Sequence, residues 1–282
     1  MSQPYFQFKQ FTVWHDRSVM RVGTDGVLLG AWVSVDGLGE GGRHAMAHGS
    51  VYPNDMPDCS ADQCLRLLDI GTGTGLIALM LAQRLDSAHV VGVEVDSASA
   101  LQAEENVRSS PFSRRVEVIC ADFRHYSDDL RFNLIVSNPP FFTETLQCPD
   151  PGRNRARHVD GLGWDSLLGH SVQLLRPFGR VALIVPARVA ADVEASACRA
   201  GLWLRRRTKV STRPGKPWRR VLLEWERQQT GARPDDGLNI PNALRSRVPL
   251  FPPLDEELCL EDENGKPSRQ YMDLTRAFYL KF

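Results

Sequence analysis

The sequence predicts an α/β fold, a doubly wound and mostly parallel sheet that gains an antiparallel hairpin toward its C-terminal end. Apolar strand-like runs alternate with helix-like segments from residue 65 to residue 185, and this alternation indicates βαβ crossovers. The strands are continuously apolar, as in Val90-Val-Gly-Val-Glu-Val95, which is typical of strands covered by helices on both faces. The predicted strands are 65–68, 90–95, 116–121, 134–137 and 181–185, and the predicted helices are 77–84, 98–108 and 162–175.

The C-terminal third changes pattern. Residues 202–209 and 221–225 are strand-like, and the turn between them is rich in Pro and Gly, which predicts an antiparallel hairpin closing the edge of the sheet. Residues 228–256 carry Pro, Gly, Asp and Arg without a sustained period and are predicted to form a long loop.

Three regions follow from these patterns. Residues 1–36 form an N-terminal segment that ends in a turn and a short helix-like apolar face. Residues 37–64 lack a period and are predicted to be a surface loop or an insertion. The main domain is predicted to cover residues 65–282.

Composition narrows the function classes. Lys and Arg together number 34, as do Asp and Glu, so no global field attracts a polyanion and any nucleic-acid contact requires a local basic patch. The six cysteines are far apart and form no CxxC pair, which favours reduced thiols over a metal site. Without a signal peptide or a long apolar run, the chain is expected to be cytoplasmic and to have no membrane contact.

A glycine-rich loop joins the first predicted strand of the main domain to the helix that follows. It reads Asp69-Ile-Gly71-Thr-Gly73-Thr-Gly75. Glycine lets the backbone turn tightly and approach a ligand closely. The spacing differs from the GxGxxG loop that cradles a pyrophosphate and resembles motif I of class I methyltransferases, which implies S-adenosylmethionine as the cofactor.

Two acids end the next two strands. Glu94 ends the strand about 25 residues after the start of the glycine loop, where a doubly wound sheet places a ribose-binding carboxylate. A solvated strand-end acid is the alternative. Asp122 ends the following strand, and acids at similar positions of this fold accept the amino group of the cofactor's adenine.

The most specific motif is Asn138-Pro139-Pro140-Phe141, which stops a buried strand. Proline fixes its own φ and restricts the preceding residue to extended conformations, so the turn is stiff and its acceptors are aimed. The Asn138 side-chain oxygen and the Pro139 carbonyl are suited to accept the two N–H groups of an aromatic amine and to orient its lone pair toward a methyl donor. Phe141 offers a face on which an unpaired base stacks, or plugs the core behind the turn.

Although the chain has no net charge, one stretch of the sequence is strongly basic. Nine Lys or Arg residues and no acids occur between positions 199 and 220, and Trp203 and Trp218 lie among them as stacking candidates. A solvated basic hairpin is the alternative. Arg153 and Arg157 belong to a second basic stretch beyond the Asn-Pro-Pro turn. The cluster comprises Arg199, Arg205, Arg206, Arg207, Lys209, Arg213, Lys216, Arg219 and Arg220.

With these motifs, the chain resembles the bacterial tRNA1(Val) adenine-N6 methyltransferases, whose substrate is the adenine next to a tRNA anticodon. The resemblance implies a Rossmann-like class I methyltransferase fold, and it implies that Thr24 and Asp25 lie against the methionine end of the cofactor. A helix cap is the alternative role for these two residues. The resemblance rests on segments 6–17, 21–32, 69–75, 137–141, 153–157 and 271–279.

The chain departs from the family pattern in two places. Residues 37–64 intervene where the family runs almost directly into the cofactor strand, and Phe141 stands where the family usually has Tyr. Stacking survives that change, whereas a hydroxyl hydrogen bond does not.

The leading hypothesis is therefore methyl transfer to the N6 atom of an adenine in a tRNA anticodon loop. Three alternatives stay open at this point: a protein glutamine-amide N5-methyltransferase, which also uses Asn-Pro-Pro, an RNA guanine-N2 methyltransferase, and a non-catalytic RNA-binding module. The sequence sets neither the tRNA isoacceptor nor the oligomeric state.

Overall fold

The structure, a computed structural model, describes residues 3–18, 20–38, 64–139, 163–227 and 252–281. Most of the two predicted long loops, 37–64 and 228–256, lies outside the described residues. The same is true of four residues predicted to be functional, Pro140, Phe141, Arg153 and Arg157.

An eight-stranded sheet forms the centre of the molecule, with the order β10-β8-β9-β7-β6-β3-β4-β5. Strands β3 to β7 are parallel to one another, and β9 is antiparallel to both β7 and β8. The predicted doubly wound sheet is confirmed. The strands are β3 Leu65–Ile70, β4 Ala88–Glu94, β5 Val116–Cys120, β6 Phe132–Ser137, β7 Leu175–Pro186, β8 Leu202–Ser211, β9 Arg220–Arg227 and β10 Leu254–Cys259, and a separate two-stranded sheet joins β1 Tyr5–Gln7 to β2 Thr12–Trp14.

Helices cover both faces of the central sheet, as the continuously apolar strands require. One face carries α1, α2, α3 and α6, and the other carries α4 and α5. None of the helices in the described ranges is long and apolar enough to cross a membrane. The helices are α1 Thr24–Trp32, α2 Leu76–Arg84, α3 Ser97–Arg108, α4 Trp164–Leu174, α5 Ala190–Arg199 and α6 Arg269–Thr275, and short 3₁₀ turns occupy Phe123–His125 and Ala187–Val189.

Strand β6 shows how the apolar pattern sets the layers. All six of its residues are buried. Leu134 and Val136 enter the core beneath α1 and α2, whereas Ile135 enters the core beneath α4 and α5, because successive side chains of a strand point to opposite faces. Truncating such a residue to Ala costs about 2–5 kcal/mol of folding free energy. The strand's end at Ser137 is therefore fixed by both cores.

The C-terminal region differs from its prediction in one respect. The antiparallel β8–β9 hairpin is confirmed, but it does not close the sheet, because β10 pairs in parallel with β8 and forms the edge. Residues 254–256, predicted as loop, belong to this edge strand. The loop-like composition came from Pro, Gly, Asp and Arg, whereas the last two residues of the predicted loop, Asp255 and Glu256, are held by arginines of β8.

The N-terminal segment shares a core with the main domain. Phe8 stacks on Phe11 at 4.8 Å between ring centroids and on Tyr279 at 6.0 Å. The Lys9 backbone N–H donates to the Phe278 carbonyl at 2.8 Å. The two ends of the chain thus pack together on the α1 and α2 face of the sheet.

Candidate active site

Four predicted site residues lie at the same edge of the sheet, because the parallel strands β3, β4, β5 and β6 all end there. They are Asp69, Glu94, Asp122 and Asn138. Ile70 of β3 pairs with Val93 of β4 and with Ser137 of β6, so the residues that follow these strands emerge side by side. Ligands of open α/β sheets bind at this carboxyl edge, where the strand order reverses. Here the reversal lies between β3 and β6, since β4 and β5 extend the sheet on one side and β6 and β7 on the other.

The glycine loop needs its glycines. Gly71, Gly73 and Gly75 have φ values of +68°, +56° and +80°, in the left-handed region that side chains with a Cβ rarely adopt. A Cβ on Gly71 would meet nothing within 4 Å and one on Gly73 only the Gly71 carbonyl at 4.0 Å, so open space lies beside the loop. This space is a cradle for a ligand that approaches the backbone closely.

Asp69 shapes the loop from beneath. Its side chain is fully buried, and its Oδ2 accepts hydrogen bonds from the Thr72 hydroxyl at 2.7 Å and the Ala78 N–H at 3.2 Å. Its Oδ1 is buried and finds no donor among the described residues. Burial raises the pKa of Asp69 to about 7, because the charged form is disfavoured away from water.

Glu94, at the end of β4, forms a hydrogen bond with the same loop. Its Oε2 accepts the Gly73 N–H at 2.9 Å and its Oε1 accepts the Asp96 N–H at 2.9 Å. A carboxylate has about four acceptor positions, so two lone pairs remain for the hydroxyls of a ribose. The residue is 9% exposed at this edge.

Asp122 follows β5 and begins the Phe123–His125 turn, where its side chain accepts the Arg124 N–H at 2.9 Å. The Arg124 guanidinium also donates to it, at 2.5 Å from Nη2 to Oδ2, and these hydrogen bonds lower the pKa of Asp122. An adenine amino group therefore has to share this carboxylate with Arg124.

Asn138 follows β6 directly. The preceding Ser137 donates its hydroxyl to the Ile70 carbonyl at 2.7 Å, which ties the end of β6 to the start of the glycine loop. The Asn138 Oδ1 is buried and has no hydrogen-bond donor in the described part of the chain. Buried polar atoms are nearly always paired, so this oxygen is a candidate acceptor for a donor from a substrate. Pro139 behind it is buried.

Helix α1 begins against this turn. A Cβ on Gly26 would stand 3.9 Å from the Asn138 Nδ2 and 3.0 Å from the Leu76 Cδ2, so a larger residue would require the Leu76 side chain to shift by a few tenths of an ångström. Thr24 and Asp25 do not cap α1, because Gly23 is its N-cap residue and no side chain caps it. Asp25 instead accepts the Arg220 Nε–H at 2.7 Å.

The basic cluster is largely neutralised in space. Arg205 pairs with Glu226, and Arg206 lies 2.8 Å from Glu256. Six of the nine cations pair with a carboxylate, whereas Lys209, Lys216 and Arg219 have none within ion-pair distance among the described residues. The other paired cations are Arg199 with Asp165, Arg207 with Glu194 and Asp255, Arg213 with Glu261, and Arg220 with Asp25.

These partners come from α1, α4, α5, β9, β10 and the segment after β10, so the acid-free stretch of sequence gave no sign of them. The three unpaired cations are found close to the carboxyl end of β8. The Lys209 ammonium stands 4.1 Å from the centroid of the Trp218 ring, and Trp218 is 45% exposed.

One residue of the site was missed from the sequence. The Asn106 Nδ2, on α3, donates to the Thr74 carbonyl inside the glycine loop at 2.9 Å. The signal was a polar face within an otherwise ordinary helix, because Ser99, Gln102 and Asn106 recur three and four residues apart and all are buried.

The doubly wound sheet, the cradle of glycines, the strand-end carboxylate and the unpaired Asn-Pro-Pro acceptor define a class I methyltransferase that uses S-adenosylmethionine. Residues 56–150 match the methyltransferase small domain family. A solved structure of a predicted O-methyltransferase from Agrobacterium tumefaciens shares the fold, with a TM-score of 0.59, 18% identity, and coverage of 90% of this chain and 96% of that one.

Curated relatives narrow the family. A protein of Bacteroides fragilis is 41% identical over 100% of both chains, and one of Porphyromonas gingivalis is 38% identical over 99% of this chain and 96% of its own. A third, from Tolumonas auensis, is 35% identical over 98% and 97%. All three are named tRNA1(Val) (adenine(37)-N6)-methyltransferase, and the chain belongs to this family.

Proposed function

We propose that the chain transfers the methyl group of S-adenosylmethionine to N6 of adenine 37 in tRNA1(Val), the substrate named for its relatives. The observation that carries the proposal is the buried, unpaired Oδ1 of Asn138 beside the glycine cradle. The bound cofactor supplies an electrophilic methyl group on a sulfonium. The described residues hold no cluster of side chains suited to a metal ion, and the proposed reaction uses none.

The cofactor is held by backbone and carboxylates. The loop from Gly71 to Gly75 would allow the cofactor to approach the backbone closely, Glu94, which supports the loop through Gly73, would accept the ribose hydroxyls, and Asp122, beside Arg124, would accept the adenine amino group. Asp69 fixes the loop through Thr72 and Ala78. The remaining part of the cofactor proposal places Thr24 and Asp25 at the methionine end, since α1 begins beside Asn138.

Asn138 orients the target amine. Its Oδ1 accepts one N–H of the exocyclic amine and the Pro139 carbonyl accepts the other, which turns the nitrogen lone pair toward the methyl group. The nitrogen forms a bond to carbon as the sulfur–carbon bond breaks, and the extra proton on nitrogen leaves to water afterwards. Catalysis is thus orientation and electrostatics, completed by Pro140 and by Phe141 as the stacking face.

RNA is proposed to reach this edge along the hairpin. Lys209 and Arg219 lie near the carboxyl end of β8 with no described carboxylate partner, and Arg220 ties that end to α1 through Asp25. Arg205, Arg206 and Arg207 retain a smaller proposed share, because their ion pairs already satisfy much of their charge. Arg153 and Arg157 complete the proposed RNA surface from beyond the catalytic turn. As an enzyme acting on tRNA, the chain is proposed to work in the cytoplasm.

The test is tritiated methyl transfer to tRNA from cells that lack this activity, followed by nucleoside analysis. We expect label in N6-methyladenosine, and loss of label when a tRNA1(Val) transcript carries guanine at position 37. Label in N2-methylguanosine would support a guanine-N2 methyltransferase instead, and label in a glutamine side chain of a protein substrate would support the amide methyltransferase.

A further inference from the structure

The N-terminal segment lies along one polar face of α3. Two buried side-chain amides of α3 form hydrogen bonds with the backbone of this segment. The Asn106 Oδ1 accepts the Trp14 N–H at 2.9 Å, and its Nδ2 donates to the Trp14 carbonyl at 2.9 Å. This pair of bonds is the one that a neighbouring β-strand makes, supplied here by a side chain. Asn106 is 1% exposed, so its amide depends on these protein hydrogen bonds because water does not reach it.

Gln102 repeats the arrangement one turn earlier in the helix. Its Oε1 accepts the backbone N–H groups of Arg17 and Ser18 at 3.1 and 2.8 Å. Its Nε2 donates to the Asp16 carboxylate at 2.6 Å. The side chain is fully buried although it stands on a surface-facing helix. We call residues 14–18 together with Gln102 and Asn106 the α3 clamp.

The clamp is joined to the cofactor loop. The same Asn106 Nδ2 that bonds to Trp14 also donates to the Thr74 carbonyl at 2.9 Å. Gly75 packs closely on α3, since a Cβ there would lie 3.5 Å from the Cβ of Ala103. One amide therefore fixes both the N-terminal segment and the loop that cradles the cofactor.

The segment then connects the two ends of the site. The Ser18 hydroxyl lies 3.3 Å from that of Ser99 in the first turn of α3, just beyond the ribose acid Glu94. Six residues later Thr24 begins α1, whose Gly26 faces Asn138. Six residues reach at most about 20 Å, so only a short connection separates the Ser18 contact on α3 from the start of α1 beside Asn138.

We propose that Gln102 and Asn106 are positioning residues that hold residues 14–18, and through them the segment 20–26, as one wall of the cofactor site, so that cofactor affinity depends on the clamp. Neither residue touches the reacting atoms. The inference concerns cofactor binding alone, and it stands whichever nucleotide the enzyme methylates. Pure packing would be served as well by leucine or methionine at these positions.

The test exchanges the partners of the Gln102–Asp16 hydrogen bond. Gln102→Glu keeps the acceptor for Arg17 and Ser18 but sets two carboxylates face to face, and we expect the dissociation constant for S-adenosylmethionine, measured by calorimetry, to rise about tenfold. Adding Asp16→Asn restores a donor and an acceptor in reversed order. The double exchange is expected to return the affinity to within about threefold of wild type, a rescue that a general loss of packing does not give.

Two further readouts separate positioning from stability. Hydrogen exchange at the Arg17 and Ser18 amides should speed up in Gln102→Glu and recover in the double exchange. The KM for S-adenosylmethionine should rise while kcat at saturating cofactor changes less than about threefold, because Asn138 is untouched. Glu105→Gln is the control, because Glu105 lies on α3 outside the clamp and its ion pair with Arg17 is about half exposed on the same interface.

Equal affinities of Gln102→Glu and Glu105→Gln for the cofactor would overturn the proposal, as would a double exchange no better than Gln102→Glu alone. If Gln102→Glu does not fold, Gln102→Met takes its place. It removes the acceptor without adding charge, and wild-type affinity in that variant would equally contradict the clamp.

Discussion

The carboxyl edge of the sheet and the middle of strand β8 differ in whether their polar side chains have partners in the fold. At the edge, the Asn138 Oδ1 and the Asp69 Oδ1 are buried without a donor in the described residues. On β8, Arg205, Arg206 and Arg207 are each paired with a carboxylate. An unpaired buried acceptor costs folding free energy and persists where a ligand uses it, whereas a paired surface arginine contributes little either way.

The difference shows where function is to be sought in this chain. Buried side-chain atoms without a partner among the described residues also occur on His15, Arg66, Gln83 and Arg180, but those of Asp69 and Asn138 flank the glycine loop, and we propose that these two mark the site of chemistry. The arginines of β8, which neighbouring strands and helices satisfy, are assigned a structural role. Four experiments test this division, in order of decreasing effect.

The largest effect is expected for Asp69 and is a dependence of stability on pH. Its pKa is about 7 in the folded protein against about 3.9 in an unfolded chain, so between these values the folded state binds more protons. Stability contributed by the neutral form is therefore lost as pH rises and levels off above about pH 7. Between about pH 4.5 and 8, the free energy of unfolding of wild type should fall by about 3 kcal/mol relative to Asp69→Asn.

Urea unfolding of the cofactor-free proteins measures this difference. If the difference in unfolding free energy between wild type and Asp69→Asn does not change with pH, Asp69 is ionised throughout this range. Asp69 would then not count among the unsatisfied acceptors of the carboxyl edge.

Asn138→Ala is expected to lower kcat by about 100-fold to 1,000-fold, as does the loss of one preorganised polar contact at a reacting centre, while the affinity for S-adenosylmethionine stays within about twofold. Steady-state methyl transfer and calorimetry measure the two effects. Asn133→Ala is the matched control, because Asn133 lies on the same strand at the opposite edge and bonds to the Arg66 N–H. A comparable loss of kcat in the control would mean that β6 had merely been disturbed.

Glu94→Gln is expected to weaken S-adenosylmethionine binding by about 10-fold to 100-fold, equivalent to about 1.4–2.8 kcal/mol. The two proposed hydrogen bonds from the ribose hydroxyls would lose their charge assistance. In addition, the new amide nitrogen replaces a carboxylate oxygen that accepts the N–H group of Gly73 or Asp96. Glu117→Gln on the neighbouring β5 strand, more than half exposed, is the control. If the affinity for S-adenosylmethionine is unchanged in Glu94→Gln, the role of Glu94 is limited to supporting the loop.

The smallest effects are expected on the hairpin. Replacing Lys216 and Arg219 by Ala should weaken tRNA binding and reduce the slope of log affinity against log salt by about one to two, one counterion per lost phosphate contact. Replacing Arg205 and Arg207 should change that slope less and lower the melting temperature instead, because their carboxylate partners are left behind. Equal slopes in the two variants would place RNA on the whole strand, as the sequence alone suggests.

Sequence reasoning reached the fold, and it predicted which residues follow the strands at the carboxyl edge, because these signals are local. The glycine loop, Glu94 and Asn138 each follow an apolar run directly, and parallel topology alone brings such strand ends together. It could not foresee the ion pairs of β8, since Arg206 meets Glu256 and Arg207 meets Asp255 from an edge strand about 48 residues away in sequence.

The same limit applies to the α3 clamp. Asn106 lies in a helix and its partner Trp14 is 92 residues earlier, so nothing local announces the contact. Thr24 and Asp25 show an intermediate case, in which resemblance pointed to the methionine end of the cofactor. The structure rules out the alternative helix cap and gives Asp25 an ion pair to Arg220.

The most direct test of the central claim, that the Asn138 oxygen holds the target amine, is a comparison of two tRNA1(Val) molecules in the presence of S-adenosylhomocysteine. One carries adenine at position 37 and the other carries purine, which lacks the exocyclic amine. Wild type should bind the adenine form about 5-fold to 10-fold more tightly, the value of one buried hydrogen bond, and Asn138→Ala should bind both alike. Discrimination that persists undiminished in Asn138→Ala would contradict the account.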